Sequence, residues 1–129
     1  MHKRVFQVLI VDSNTVLRNG LVDYLAACDD LHPVGSAATG REGIRMSKEM
    51  AVDIVLSEFH LPDMDGLEAI RQMRQHCPTS PIVVLATTLD SVQMHNALKA
   101  GATGWLEKGM SPDMLINALR HAGYNSLVH

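Results

Sequence analysis

Five short apolar segments alternate with five helix-like segments, and this alternation constrains the fold more strongly than any other feature of the sequence. The apolar segments are rich in β-branched residues, as in Val5 to Val11 (VFQVLIV) and Pro81 to Ala86 (PIVVLA), which is typical of strands. Asp53 to Ser57 (DIVLS) shows little polar alternation, which indicates a strand covered on both faces. Short connections in strict alternation force parallel pairing with right-handed crossovers. The sequence therefore predicts an α/β fold: a doubly wound, five-stranded parallel sheet with helices on both faces.

Capping residues and hydrophobic periodicity set the predicted boundaries of the elements. Thr39 and Glu42 match a capping box, Ser111 before Pro112 marks a helix start, and Gly101 suits a helix end. The predicted strands cover residues 5–11, 32–37, 53–57, 81–86 and 103–106. The predicted helices cover residues 14–28, 39–50, 65–76, 90–100 and 111–123. In the first helix, one apolar stripe is predicted from Val16, Leu17, Leu21, Tyr24, Leu25 and Cys28.

The length and charge of the chain limit the class of protein. With 129 residues, the chain fits one domain, which we place at residues 1–123, with 124–129 as the start of a linker or a C-terminal tail. A formal net charge of -3 with scattered basic residues argues against direct nucleic-acid binding. The sequence has neither an apolar run long enough to span a bilayer nor a secretory signal, so we expect a cytoplasmic protein without membrane association.

Cysteines and histidines carry no signal of redox or metal chemistry. Cys28 and Cys77 are isolated from each other and are expected to be buried, reduced thiols. The seven histidines show no metal-ligand spacing.

Polar residues follow the predicted strands at the edge where doubly wound sheets carry their sites. Asp12 and Ser13 follow the first strand, Glu58 follows the third, and Lys108 follows the fifth. Each charge taken alone is best explained as a solvated loop residue. Two carboxylates and a lysine converging from separate strands favour a functional site.

Two longer segments resemble a known family. DIVLSEFHLPDMDG is similar to the third strand and following loop of response-regulator receiver domains, the CheY-like superfamily. GATGWLEKGMSPDML is similar to the fifth strand and last helix start of the NarL/LuxR-type branch. The resemblance covers nearly the whole chain and implies a flavodoxin-like (βα)5 fold with strand order 2-1-3-4-5. It also implies that an aspartate on the third strand accepts a phosphoryl group from a histidine kinase, next to Mg²⁺ held by acids.

The family's site is only partly present in this sequence. Lys108 matches the lysine that holds the phosphoryl oxygens, and Asp12 matches one acid on the metal side. Pro62 and Gly66 match the loop residues. Three positions depart from the pattern: the phosphoacceptor position is Glu58, the second acid is Ser13, and the hydroxyl position is Ala86.

The neighbouring threonines do not obviously restore the missing hydroxyl. Thr87 is adjacent to Ala86, but successive strand residues face opposite sides of a sheet. Thr88 has the correct parity and lies beyond the predicted strand end.

These departures predict a site without normal phosphotransfer, with no catalytic residue and no resident cofactor. Glutamate carries its oxygens about one bond length further out than aspartate, which impairs in-line geometry. With Ser13 in place of an acid, Mg²⁺ is expected to bind weakly at most, at Asp12 and Glu58. Glu58 either pairs with Lys108 and replaces part of the phosphorylated state, or it is a remnant in a degenerate pocket.

Trp105 falls three residues before Lys108, at the position of the family's switch aromatic. In relatives this ring moves between exposed and inward positions on activation. A large ring fixed in packing is the alternative, and the sequence favours that alternative.

Three hypotheses for function follow. The first is a non-enzymatic, atypical receiver of a DNA-binding transcription regulator, acting through protein–protein contact. The expected partners are a second copy in a homodimer and a histidine kinase or other regulatory protein, and DNA is reached only through a domain absent from this chain. The second is a functional phosphotransfer receiver that tolerates the altered pocket, and the third is a small-ligand binder that reuses the fold.

Overall fold

Five strands and five helices alternate through residues 4–127, the part of the chain that this computed structural model describes. The strands are β1 Phe6–Val11, β2 Leu31–Ala37, β3 Ile54–Glu58, β4 Ile82–Ala86 and β5 Gly104–Glu107. The helices are α1 Thr15–Ala26, α2 Gly40–Glu49, α3 Gly66–His76, α4 Ser91–Ala100 and α5 Pro112–Ser126.

The strands form one parallel sheet in the order β2-β1-β3-β4-β5, which confirms the predicted fold. β2 lies on one side of β1 and β3 lies on the other, so the direction in which strands are added to the sheet reverses between β1 and β3. Val11 is in register with Ser57, and Glu58 with Leu85. The carboxyl ends of β1 and β3 are therefore neighbours, at the point where such sheets open a crevice.

Two apolar cores cover the two faces of the sheet. One contains residues of α3 and α4, such as Ile70, Met73 and Ala97, packed on Leu9 and Val84. The other lies under α1 and α5 and contains Leu21, Leu25, Leu115, Leu119 and the even-numbered residues Ile54 and Leu56 of β3. All five residues of β3 and all five of β4 are buried, which explains their lack of polar alternation.

The helix starts are mostly those that the capping residues predict. The Ser111 side chain accepts a hydrogen bond from the Met114 N–H ahead of Pro112, and Gly101 ends α4 at φ 125°. Thr39 caps α2 by accepting from the Glu42 N–H. Only this half of the predicted capping box forms in the described part of the chain, and the Glu42 carboxylate lies 3.8 Å from Arg45.

Helix α1 differs from its prediction. It ends at Ala26, and only Leu21 and Leu25 of the predicted stripe are buried. Val16 is 84% exposed and Tyr24 is 48% exposed, because the contact with the sheet is narrower than the apolar stripe. Cys28 is half-buried rather than buried, whereas Cys77 is buried, and both thiols are free.

Helix α5 extends further than predicted. It continues through Ser126 instead of ending near Ala122 and Gly123. Gly123 is buried in the helix, where Phe6 and Ile54 approach its backbone, and the Tyr124 ring packs edge-on against Phe6 at 4.9 Å. The first residues of the predicted tail, 124–126, are thus helical. Residues 128 and 129 lie outside the described residues, so a linker there stays a prediction.

None of the helices within residues 4–127 is both long enough and apolar enough to cross a bilayer.

Two glycines give opposite predictions for stability. A Cβ at Gly66 would overlap the Phe59 carbonyl oxygen, whereas a Cβ at Gly20 in α1 meets no atom within 4 Å. We expect Gly66→Ala to lower the free energy of unfolding by roughly 1–3 kcal/mol. Gly20→Ala should raise it by about 0.5–1 kcal/mol, because alanine loses less backbone entropy in a helix. Urea titrations of both variants measure this, and equal effects would contradict the close approach at Gly66.

Candidate functional site

Three strand ends bring the polar residues together at the carboxyl edge of the sheet. Asp12 follows β1 directly, Glu58 is the last residue of β3, and Lys108 follows β5. The Lys108 N–H donates to the Ala86 carbonyl oxygen at 3.0 Å, which continues the β4–β5 ladder by one residue. The lysine side chain crosses the end of β4, where Ala86 presents only a methyl group, to reach β3.

Glu58 is held on both of its carboxylate oxygens. Oε2 accepts hydrogen bonds from the Ser13 backbone N–H at 2.8 Å and from the Ser13 hydroxyl at 2.9 Å. Oε1 accepts from Lys108 Nζ at 3.0 Å. The Glu58 side chain is 8% exposed, so water replaces few of these contacts. The ion pair that the sequence raised as a possibility is present.

Asp12 is fully buried beside this pair. Its Oδ1 accepts from the Asn14 N–H at 2.8 Å, and its Oδ2 lies 3.6 Å from Lys108 Nζ. Oδ2 is the one buried side-chain oxygen or nitrogen within residues 4–127 that has no hydrogen-bond partner. Lys108 therefore lies between two carboxylates, and it is hydrogen-bonded to only one of them.

The two carboxyl groups respond to this site in opposite directions. Burial raises the pKa of Asp12, and the negative charge of Glu58 adds to this effect, against the Asn14 N–H and Lys108. Burial also acts to raise the pKa of Glu58. The hydrogen bonds from Ser13 and Lys108 outweigh that effect, so the pKa of Glu58 is lowered. Glu58 is thus the acid that the site favours in its charged form.

The remaining predicted residues lie nearby without joining these contacts. Ala86 is buried in the core beneath α3 and α4. Thr87 and Thr88 are exposed, and neither hydroxyl hydrogen-bonds to another residue in the described part of the chain. Trp105 is half-buried, pairs with Val84 in the sheet and packs against the same core, and its role as a switch stays a prediction.

Three supporting residues were not identified from the sequence. The Asn14 side chain accepts from the Leu17 N–H and so caps α1, and Arg18 Nη1 donates to the Asp12 carbonyl oxygen at 2.7 Å. Asp63, in the loop after β3, accepts from the Gly40 and Arg41 N–H groups at the start of α2. The Asn14 cap has a recognisable sequence signal, since Asn is a preferred N-cap residue. The Asp63 contact has none, because it joins distant segments.

The residues present do not fit the magnesium ion that the family resemblance implies. Within residues 4–127, no group of three or more His, Cys, Asp or Glu side chains could share a metal ion. Two carboxylates remain, and both Glu58 oxygens are engaged by Ser13 and Lys108. The Lys108 ammonium also lies close to the oxygen of Asp12 that would face a cation. A hard divalent cation would have to displace the lysine to gain enough oxygen ligands.

Comparisons with known proteins show the family to which the chain belongs. Residues 8–120 match the response regulator receiver domain family. The chain is 36% identical over 118 residues to the uncharacterized transcriptional regulatory protein YhcZ of Bacillus subtilis (strain 168), covering 91% of this chain and 55% of that protein. It is 31% identical over 121 residues to the nitrate/nitrite response regulator protein NarL of Escherichia coli (strain K12), covering 94% and 56%. The chain spans about half the length of these relatives.

The solved structures show the same fold. A CheY-like response regulator receiver domain protein from Methanospirillum hungatei JF-1 superposes with a TM-score of 0.87. The alignment covers 95% of this chain and 96% of that one, at 21% identity.

The raised pKa of Asp12 gives a pH-dependent prediction. The fold disfavours the charged form of Asp12. The free energy of unfolding should therefore fall as the pH rises from the ordinary carboxyl pKa of about 4 through the raised pKa of Asp12, and it should recover as the pH is lowered again. Asp12→Asn imitates the neutral acid and should stabilise the protein by roughly 1 kcal/mol at pH 7. This gain should shrink in mildly acidic buffer.

Thermal melts between pH 4 and pH 8 measure the effect. Asp23→Asn, at an exposed position on α1, is the control and should show no such trend. A constant difference between Asp12→Asn and wild type across this range would mean that the Asp12 carboxylate carries no cost in the fold.

Proposed function

The chain belongs to the response regulator receiver family, and from this membership we propose that it is an atypical receiver domain of a DNA-binding transcription regulator. In this proposal it signals through protein–protein contact without aspartyl phosphorylation. The observation that carries the proposal is the state of Glu58, which stands at the phosphoacceptor position with both oxygens already engaged.

Phosphoryl transfer to a receiver needs a carboxylate oxygen free to attack phosphorus in line, with cations placed around the other phosphoryl oxygens. Here Lys108 contacts the acceptor carboxylate itself at 3.0 Å. Ser13, where the family places an acid, donates two hydrogen bonds to the other oxygen instead of binding a metal. The lysine that would hold a phosphoryl group and the residue at the metal-side position therefore both bind the Glu58 side chain.

The Glu58–Lys108 pair also supports the proposal that the domain is held in one state. It connects the end of β3 to the residue after β5, and thereby ties the loops after β3 and β5 together. In a receiver controlled by phosphorylation, the phosphoryl group would make this connection. We propose that the glutamate makes it permanently, so that the domain is held in one state. The alternative is that Glu58 is a remnant in a degenerate pocket. It predicts that removing the Glu58 charge changes neither stability nor self-association.

A phosphotransfer receiver is the second candidate, and one observation favours it. Asp12 Oδ2 is buried without a hydrogen-bond partner, as expected for an oxygen that awaits a cation. Against this candidate stand Ser13, Ala86 and the engaged oxygens of Glu58.

The partners that we propose are inferred from the relatives of this chain and not from contacts within it. The relatives YhcZ and NarL are named as a transcriptional regulatory protein and a response regulator, and each is nearly twice as long as the matched region. We propose that DNA is contacted by a separate segment of the whole protein, since this chain carries a net charge of -3. A homodimer, a histidine kinase or other regulatory protein as partner, and a cytoplasmic location belong to the same proposal.

Phosphorylation capacity tests the proposal directly. With acetyl phosphate and Mg²⁺, wild type and Glu58→Asp should show no added phosphoryl mass in intact-mass spectra. Glu58→Asp combined with Ser13→Asp and Ala86→Thr should recover some acyl phosphate, because the metal-side acid and the hydroxyl are restored.

Ala86→Thr alone is the matched control and should remain unlabelled. Labelling of wild type would overturn the proposal in favour of the phosphotransfer receiver. Labelling of Glu58→Asp as strong as that of the triple variant would show that Ser13 and Ala86 do not matter.

Removing the charge of Glu58 tests the held state. Glu58→Gln leaves Lys108 without its hydrogen-bonded carboxylate, which should lower the free energy of unfolding by about 1–3 kcal/mol at pH 7. Because the pKa of Glu58 is lowered, its contribution is present above the ordinary carboxyl pKa and is lost as the pH falls through the lowered value. The difference from wild type should therefore disappear in acid.

Thermal melts and sedimentation at matched concentration measure stability and self-association, and we expect both to weaken in Glu58→Gln. Glu107→Gln, at an exposed neighbouring position, serves as the control. Unchanged melting and unchanged assembly would identify Glu58 as a remnant.

A further inference from the structure

Ser13 is turned toward the site although it lies at the exposed start of the segment after β1. Its N–H and its hydroxyl both donate to Glu58 Oε2, at 2.8 and 2.9 Å. An acid at this position could not donate from its side chain. The serine therefore makes a contact that the family's usual residue excludes.

We propose that Ser13 is a positioning residue that holds Glu58 in the orientation that reaches Lys108, so that residues 13 and 58 function as a matched pair. This inference rests on the proposed function only in naming Glu58 as the occupant of the phosphoacceptor position. The Ser13 hydroxyl selects a long acid at position 58, and the long acid in turn requires a donor at position 13.

The arrangement of the strands explains why Glu58 needs contacts from both Ser13 and Lys108 to keep its orientation. β1 and β5 lie on opposite sides of β3, and β4 intervenes on the β5 side. The Glu58 carboxylate bridges these sides, with Oε2 directed to Ser13 and Oε1 directed to Lys108. A shorter acid would withdraw by about a bond length, which is enough to break a hydrogen bond that is close to optimal.

The charges of the site are a second reason why a donor, and not an acid, accompanies Glu58 at position 13. Asp12 and Glu58 carry two negative charges against the single positive charge of Lys108. An acid at position 13 would add a third negative charge next to Glu58 Oε2, where the hydroxyl now donates. Like charges at this range repel strongly in a partly buried site. The pair of Glu58 with an acid at position 13 is therefore disfavoured.

The Ser13 side chain does not cap helix α1. The N-cap of this helix is Asn14, whose side chain accepts from the Leu17 N–H. Within residues 4–127, the Ser13 hydroxyl forms one hydrogen bond, and that bond is to Glu58. Its removal should therefore act through Glu58 and not through the helix.

The reactivity of Lys108 tests the inference. The protein is treated briefly with an amine-acetylating reagent, and acetylation of Lys108 is compared with that of exposed Lys99 in the same molecule by peptide mass spectrometry. Ser13→Thr keeps the hydroxyl, and Ser13→Val has nearly the shape of threonine with a methyl group in place of that hydroxyl. We expect Ser13→Val to raise the Lys108-to-Lys99 ratio several-fold above wild type and Ser13→Thr to leave it near the wild-type value.

The same substitutions in a Glu58→Gln background complete the test. There Lys108 has already lost its hydrogen-bonded carboxylate and keeps only Asp12, which Ser13 does not contact, so Ser13→Val should change the ratio little. An equal rise in both backgrounds, or no rise in either, would overturn the inference. Lys48 and Lys99 are exposed in the folded protein, so partial unfolding would raise the Lys108-to-Lys99 ratio in both backgrounds alike, and the comparison of the two backgrounds identifies it. Phosphorylation of wild type in the mass assay would overturn the proposed function while leaving this coupling measurement intact.

Discussion

Burial of the sheet on both faces is the constraint on which the rest of the molecule depends. β3 and β4 are covered on both sides by apolar cores, so their side chains have no room for polar chemistry along most of their length. Polar groups are left to the ends of the strands. At the carboxyl end, the reversal of strand order between β1 and β3 opens a crevice, and Asp12, Glu58 and Lys108 meet there.

Within that crevice, one ammonium group serves two carboxylates unequally. Lys108 is hydrogen-bonded to Glu58 and lies 3.6 Å from Asp12 Oδ2. Glu58 also receives two hydrogen bonds from Ser13, and its pKa is lowered, whereas burial raises the pKa of Asp12. The site thus concentrates its stabilising contacts on Glu58. The proposal that Glu58 mimics phosphorylation starts from this unequal sharing of the Lys108 ammonium group.

The departures from the family pattern are consistent with one another in this arrangement. The glutamate is long enough to reach the lysine, and the serine donates to it where an acid would repel it. Ala86 has only a methyl group at the end of β4, which the lysine side chain crosses. The loop after β3 is fixed further by Asp63, which accepts from the start of α2, so the position of Glu58 is supported from both ends of its segment.

The sequence by itself determined the order and type of the elements, most helix starts, and the set of residues that converge on one edge. These features depend on local signals: hydrophobic period, capping residues and motif spacing. The tertiary structure alone decided that Ser13 donates to Glu58, that Asp12 Oδ2 lacks a partner, that Val16 is exposed and that α5 continues through Ser126. The Ser13 and Lys108 contacts to Glu58 join residues 45 and 50 positions apart. Their geometry depends on strand register, sheet twist and close packing between distant segments, which no local pattern in the chain encodes.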